Sequence, residues 1–217
     1  MIHEYHNGMS IPYEATGRIR QKSRTHRALV DAVHRLLREG LTPTVEQAAE
    51  AAGISRTTAY RYFPNQHELL VAAHPEIDAA SLLGGRPPTD PEARLDLVLT
   101  EIERQILENG PELRAALRLS LDPKVDRSRL LLRQGRAIRW LDDAFRPMRG
   151  KIPDRELRRL TLAIRATFGI EAYLWLTEVG GVLPQDALAL MRWSAKTLFR
   201  SVVPGRTAAA RTSKLRK

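Results

Sequence analysis

The stretch TVEQAAEAAGISRTTAYRYF, Thr44 to Phe63, decides how this chain is read. Thr44 followed three positions later by Gln47 is a capping-box pair, so a helix is expected from there to Ala52. Gly53 suits the left-handed turn position that glycine adopts without a Cβ clash. Ser55 then caps a second helix, Arg56 to about Tyr62, and Pro64 closes it by pushing the preceding residue out of helical geometry. Helix, glycine turn, helix is the layout of a helix-turn-helix, whose second helix lies in the DNA major groove. On that second helix Ala59 and Phe63, backed by Ile54, can face inward. Arg56, Thr57, Thr58, Tyr60, Arg61 and Tyr62 are left mostly outward, with no acid among them, whereas a plain solvated face would mix both signs.

Working outward, Leu29, Ala32, Val33, Leu36 and Leu37 recur at helical spacing between about Thr25 and Glu39, and Gly40 ends the run. Asn65 and Glu68 make another capping box, starting a helix through Leu69, Leu70 and Ala73. Pro75 either ends that helix or kinks it on the way to Leu83. Residues 1–17 mix Gly, Pro, Ser and Asn and are expected as a mobile leader, and residues 84–88, GGRPP, are the clearest linker.

The chain resembles the TetR family of one-component bacterial repressors. The residues that carry the resemblance are Leu29, Ala32, Leu36, Leu37 and Gly40, then Thr44, Val45 and Ala49, then Ala52 to Ser55, Thr58, Tyr60, Tyr62, Phe63, Leu69 and Leu70. The resemblance implies a DNA-binding set of Thr44, Ser55, Arg56, Thr57, Thr58, Tyr60, Arg61, Tyr62, Gln66 and His67. Arg56 and Thr57, at the start of the recognition helix, would reach base edges, arginine donating twice to guanine and the threonine methyl meeting thymine. Thr44, Thr58, Tyr60 and Tyr62 would hydrogen-bond phosphates, and Arg61 either contacts DNA or solvates the surface. Two positions depart from the family pattern: Gln66 stands where many relatives have lysine, and the turn Leu41-Thr42-Pro43 is short. Both shift the burden of binding onto the basic residues from Arg18 to Arg27.

The full chain has 217 residues, 35 Lys and Arg against 25 Asp and Glu, a formal charge of +10 and no cysteine. Disulfides, thiolate metal sites and cysteine nucleophiles are excluded, and the positive balance suits an acidic partner such as nucleic acid. The charge is uneven: residues 1–75 carry nine basic against seven acidic side chains, and residues 204–217 five against none, so the tail too can touch phosphates. The first residues lack the apolar core of a signal peptide and no run reaches spanning length, so a cytoplasmic chain without membrane contact is expected. All six histidines precede residue 75, but their spacing does not converge on one ion, so no metal or other cofactor is expected.

Beyond the linker, helices are expected from Pro91 to Asn109, Pro111 to Leu121, Asp126 to Met148, Pro153 to Val179 and Pro184 to Val203. No confident strand pattern occurs, so the fold class is all-α. The resulting division is a DNA-binding domain over 24–84, with its helix-turn-helix at 44–63, a helical ligand-binding and dimerisation domain over 89–203, and a basic tail over 204–217. The last two helices are apolar on more than one side and must be covered twice. They form either a thoroughly buried core or, as the resemblance implies, a homodimer interface, with Gly169, Ala172, Ala187 and Ala195 suited to close packing. Trp140, Phe145, Phe168, Glu171, Tyr173 and Trp175 are pocket candidates for an unidentified small-molecule effector, and each is equally readable as core or surface. No nucleophile–base set stands out, so an enzyme is not expected. The expected function is a repressor that leaves a near-palindromic double-stranded operator when its effector binds. The alternative is an effector-insensitive DNA-binding protein with a filled C-terminal core.

Overall fold

The computed structural model describes residues 13–124, 126 and 130–203. Its regular structure is helical, with no β-strand among the described residues: α1 (Tyr13–Arg38), α2 (Val45–Ala52), α3 (Arg56–Tyr62), α4 (Gln66–Ala73), α5 (Pro91–Ser120), α6 (Arg136–Ala144), α7 (Asp154–Thr167), α8 (Ile170–Leu174) and α9 (Pro184–Val202). The chain divides into two compact units after Pro75.

In the first unit, caps set the boundaries. Thr44 accepts from the Gln47 amide while the Gln47 side chain accepts from the Thr44 amide, closing the expected capping box. Gly53 sits at φ 66°, ψ 30°, and its N–H turns back to the Ala49 and Glu50 carbonyls. Ser55 caps α3 through the Thr58 amide. Asn65 caps α4 through the Glu68 amide, but the return bond joins the two side chains, so this box is only half the expected motif. α4 ends at Ala73, with His74 pushed to φ −134°, ψ 78° ahead of Pro75, which decides between the two readings of that proline. The core beneath is Leu29, Ala32, Val33 and Leu37 from α1, Val45, Ala48 and Ala49 from α2, Ala59 of α3 and Phe63 at its C-terminal cap, and Leu69 and Leu70 from α4. α1 begins at Tyr13, well ahead of the expected start near Thr25, so residues 13–17 are helical rather than part of a leader. Glu14, Ala15, Arg20, Gln21 and Lys22 are strong helix formers without an apolar stripe, which periodicity does not detect.

The second unit begins earlier than the expected linker. Leu83 lies in its core, the Trp140 indole donates to Ala79 O at 2.8 Å, and Ser81 donates to Asp143 at 2.6 Å. Buried Arg94 ties the same segment down, donating to Pro88 O, Asp143 O and Ala144 O and so satisfying carbonyls at the end of α6. α5 spans both expected helices, kinked at Asn109 (φ −114°, ψ 18°) just before Pro111. α9 runs antiparallel to it under three ionic rungs: Arg192 with Glu103, Lys196 with Asp96, and Arg200 with Glu92, at 2.6–2.9 Å. Phe145 and Phe199 stack inside, with ring centres 5.8 Å apart.

Two expected long helices are broken. Residues 126–148 are not one helix: Gly135, at φ 70°, separates a 3-10 turn at Leu131–Arg133 from α6, and Pro147 sits in another after it. Residues 153–179 break at the extended residues Phe168 and Gly169, then continue as α8 and a π-helical turn, Trp175–Val179. A Cβ on Gly169 would meet the Arg165 guanidinium at 2.5 Å and Glu171 Oε2 at 3.0 Å, so glycine here makes room for that ion pair. No helix among the described residues is long and apolar enough to cross a membrane.

Candidate nucleic-acid interface and ligand cavity

The outward face of α3 is as expected in part. Arg56, Thr57, Tyr60 and Arg61 are exposed, and Thr58 and Tyr62 are half-buried. Ser55 is exposed, but its hydroxyl donates to Thr58 Oγ1 at 2.9 Å while accepting from the Thr58 amide, which makes it a cap before anything else. The Tyr60 hydroxyl donates to the Glu46 carboxylate on α2, so the phosphate contact expected of it competes with a bond inside the protein. That hydrogen bond holds the Glu46 carboxyl below the usual carboxylate range and raises the Tyr60 phenol. Gln66 is also occupied: its amide donates to Thr42 O at 3.2 Å and Pro43 O at 3.0 Å, fastening the start of α4 to the short turn between α1 and α2. His67 is exposed in the first turn of α4.

The basic residues before the first apolar stripe take a place that their sequence separation conceals. Lys22, Ser23, His26 and Arg27 line a surface concavity together with Tyr62 and Ala72, so α1 lays cations beside the end of α3. Arg20, Lys22, Arg24 and Arg27 are all exposed. His26 meets Phe63 with ring centres 5.0 Å apart, and His34 meets His74 edge-on at 5.2 Å, pairings that spacing alone does not suggest. The basic tail lies outside the described residues.

In the second unit a cavity of about 290 Å³ opens between α5, α6 and the α7–α8 break. Of the pocket candidates, Trp140 and Phe168 line it. Phe145 does not, being buried against Phe199, and Tyr173 packs half-buried on the core. Trp175 is 60% exposed and lines a separate shallow groove with Ala166, Ala172 and Leu190. Glu171 borders that groove and turns its carboxylate to the arginines at the cavity wall. It accepts from Arg133 Nη1 at 2.6 Å and from both terminal nitrogens of Arg165 at 3.0–3.1 Å. Burial pushes its carboxyl up, but the bonds and charge of Arg165, with Arg133, outweigh this and hold it at about 2. Arg133, Arg136, Arg165 and Gln105 in the cavity wall escape sequence reasoning, because a pocket arginine has no distinctive spacing. Burial lowers the pKa of Arg136, opposed by the negative charges of Glu76 and Asp78.

A depressed carboxyl stabilises the fold above its unfolded pKa, and that contribution is lost as pH falls through the folded value. Urea unfolding of the native chain is therefore expected to lose stability between about pH 4.5 and pH 2, and Glu171→Gln to flatten this part of the profile. An unchanged slope in the variant would remove Glu171 from the acid response.

Two short helices about a left-handed glycine, with no acid on the outward face of the second, have the layout of a helix-turn-helix. Comparison with curated proteins agrees on this class. The chain is similar to the HTH-type transcriptional repressor LfrR of Mycolicibacterium smegmatis, 31% identical over 93 residues, 42% of this chain and 48% of that protein. The chain thus matches about half the length of that relative, and the similarity supports a DNA-binding transcription regulator. No protein-family model matches the chain.

Proposed function

We propose that this chain is a sequence-specific transcriptional repressor of the TetR type, acting in the cytoplasm as a homodimer on a near-palindromic operator. The observation that carries the reading is the exposed, acid-free face of α3, held at its start by Ser55 and at the preceding turn by Gly53. Arg56 and Thr57 read bases, while Thr44, Thr58, Tyr62 and the cations of α1 position the head on phosphates. Dimerisation uses α8, its π-helical extension and α9, where Trp175, Val179, Leu183, Leu190 and Trp193 are all exposed. Of the small residues considered for that interface, Ala187 and Ala195 are fully buried within the subunit, so large side chains rather than a small-residue seam would meet the partner.

The second unit would sense a small molecule. Its cavity favours a sensor over the effector-insensitive alternative, which calls for a filled core. Release from DNA requires the effector to favour a non-binding state, a coupling of about 1–3 kcal/mol in typical cases. Selection of bound genomic fragments followed by footprinting tests the reading. A symmetric protected site is expected, and binding without sequence preference would defeat it. Replacing Lys22 and Arg27 together by alanine is expected to weaken all DNA sequences alike, lowering the slope of log K against log salt by about 1 for each phosphate left without its cation. Weakening confined to one sequence would mean that these residues read bases.

A further inference from the structure

The wall of the cavity carries its charge asymmetrically. At one end Arg136 faces the opposing charges of Glu76 and Asp78. At the other, the single Glu171 carboxylate serves two guanidiniums, Arg133 and Arg165, both three-quarters or more buried. One anion between two cations leaves a positive charge over, in a part-buried setting where water screens it poorly. A guanidinium is also the group best shaped to receive a planar carboxylate on two parallel N–H donors. Glu76 and Gln105 add polar groups to the lining, and the remainder is mostly apolar, with Ile102, Ile106, Ile138, Trp140 and Phe168. The volume of about 290 Å³ equals roughly ten water-sized shares of 30 Å³, enough for a compact ring system or a short chain.

We infer that the cavity takes an apolar monoanion, a carboxylate whose head lies at Arg133 and Arg165 and whose body packs between Trp140 and Phe168. This rests on the proposal that the second unit binds a small molecule, and it adds the chemical class. It also gives Glu171 a role: it occupies the arginine end in the empty state, and an arriving carboxylate shares or takes over its donors. Because Arg165 and Glu171 flank the break between α7 and α8, the head of the ligand would act on the junction that leads into the exposed apolar face.

The test uses the full chain and matched probes: naphthalene-2-carboxylate and decanoate as anions, naphthalene-2-methanol and decanol as neutral counterparts, and 2-naphthylmethylammonium as a cation. Calorimetry supplies affinity, and tryptophan fluorescence reports occupancy near Trp140. At least one carboxylate is expected to bind ten-fold or more tighter than its alcohol and the ammonium probe. Arg133→Gln should abolish that preference, lowering the carboxylate's affinity ten-fold or more while the alcohol's changes far less. Glu171→Gln should tighten carboxylate binding several-fold, a gain that a misfolded variant would not give. Neutral or cationic probes binding as well as the anions would overturn the assignment yet leave a small-molecule site standing, and so would a preference that survives Arg133→Gln. Absence of binding by either carboxylate also overturns it. Tight carboxylate binding that leaves DNA affinity unchanged would uphold the ligand class and refute the effector role.

Discussion

Replacing Trp193 with glutamate is expected to convert the proposed dimer into a monomer in sedimentation velocity. It should also weaken binding to a two-half-site operator by about 100-fold or more, because the second head loses its effective concentration near the DNA. Trp193 is 65% exposed on α9 and one turn from exposed Leu190, while Trp175 and Val179 are exposed at 60% and 72% on the preceding segment. A large indole held in water within a single subunit gains nothing there, and burying it against a second copy recovers roughly 25 cal/mol for each Å² of apolar surface removed from water. Glutamate would place a charge in that interface, where desolvation is costly. The substitution touches little inside the subunit, so circular dichroism and the melting temperature should change little. Unaltered sedimentation would move the dimer interface elsewhere on the molecule.

The second large effect is expected at Arg56. It is the first residue of α3, exposed beyond the Ser55 cap, with no acid on its own helix and the Glu46 carboxylate of α2 near enough to feel its charge. If its guanidinium spans guanine O6 and N7, Arg56→Ala should cost about 1–3 kcal/mol on the preferred operator and relax preference at one base pair. Binding to unrelated DNA should fall far less, since the phosphate contacts survive. Competition binding against operators changed one base pair at a time measures this directly. If the preference profile keeps its shape while all affinities fall together, Arg56 contacts backbone and the reading role passes to Thr57 or Arg61.

The reading head is legible in the sequence because its boundaries are set by local chemistry. Thr44 with Gln47, Gly53 and Ser55 each act within a few residues, and their caps form where the spacing places them. Bonds made over distance are less readable. Tyr60 and Gln66 look like DNA ligands in one dimension, but the fold brings Glu46 to the first and the carbonyls of Thr42 and Pro43 to the second. In the second unit, apolar residues at helical spacing conceal breaks at Gly135 and at Phe168–Gly169, where the backbone leaves helical geometry. Composition marks 84–88 as the linker, yet Leu83 and the carbonyl of Ala79 belong to the packing of the second unit. Of the aromatic pocket candidates, Trp140 and Phe168 line the cavity and Phe145 is buried away from it, while aromatic content passes over the arginines that give the cavity its polarity.

The bond from Gln66 to the α1–α2 turn has a kinetic consequence. It joins neutral groups, as do the Thr44–Gln47 and Ser55–Thr58 bonds, so ionic strength has little hold on these contacts, while the Tyr60–Glu46 bond is made to a carboxylate. The attraction to DNA proposed for this chain would come instead from separate basic side chains along α1 and α3, Arg20, Lys22, Arg24, Arg27, Arg56 and Arg61, all exposed. The contacts that set shape are therefore mostly distinct from the cations that would attract DNA. On the proposed function, a head displaced by salt would leave with these neutral contacts intact, and its return would be governed by diffusion and electrostatic steering.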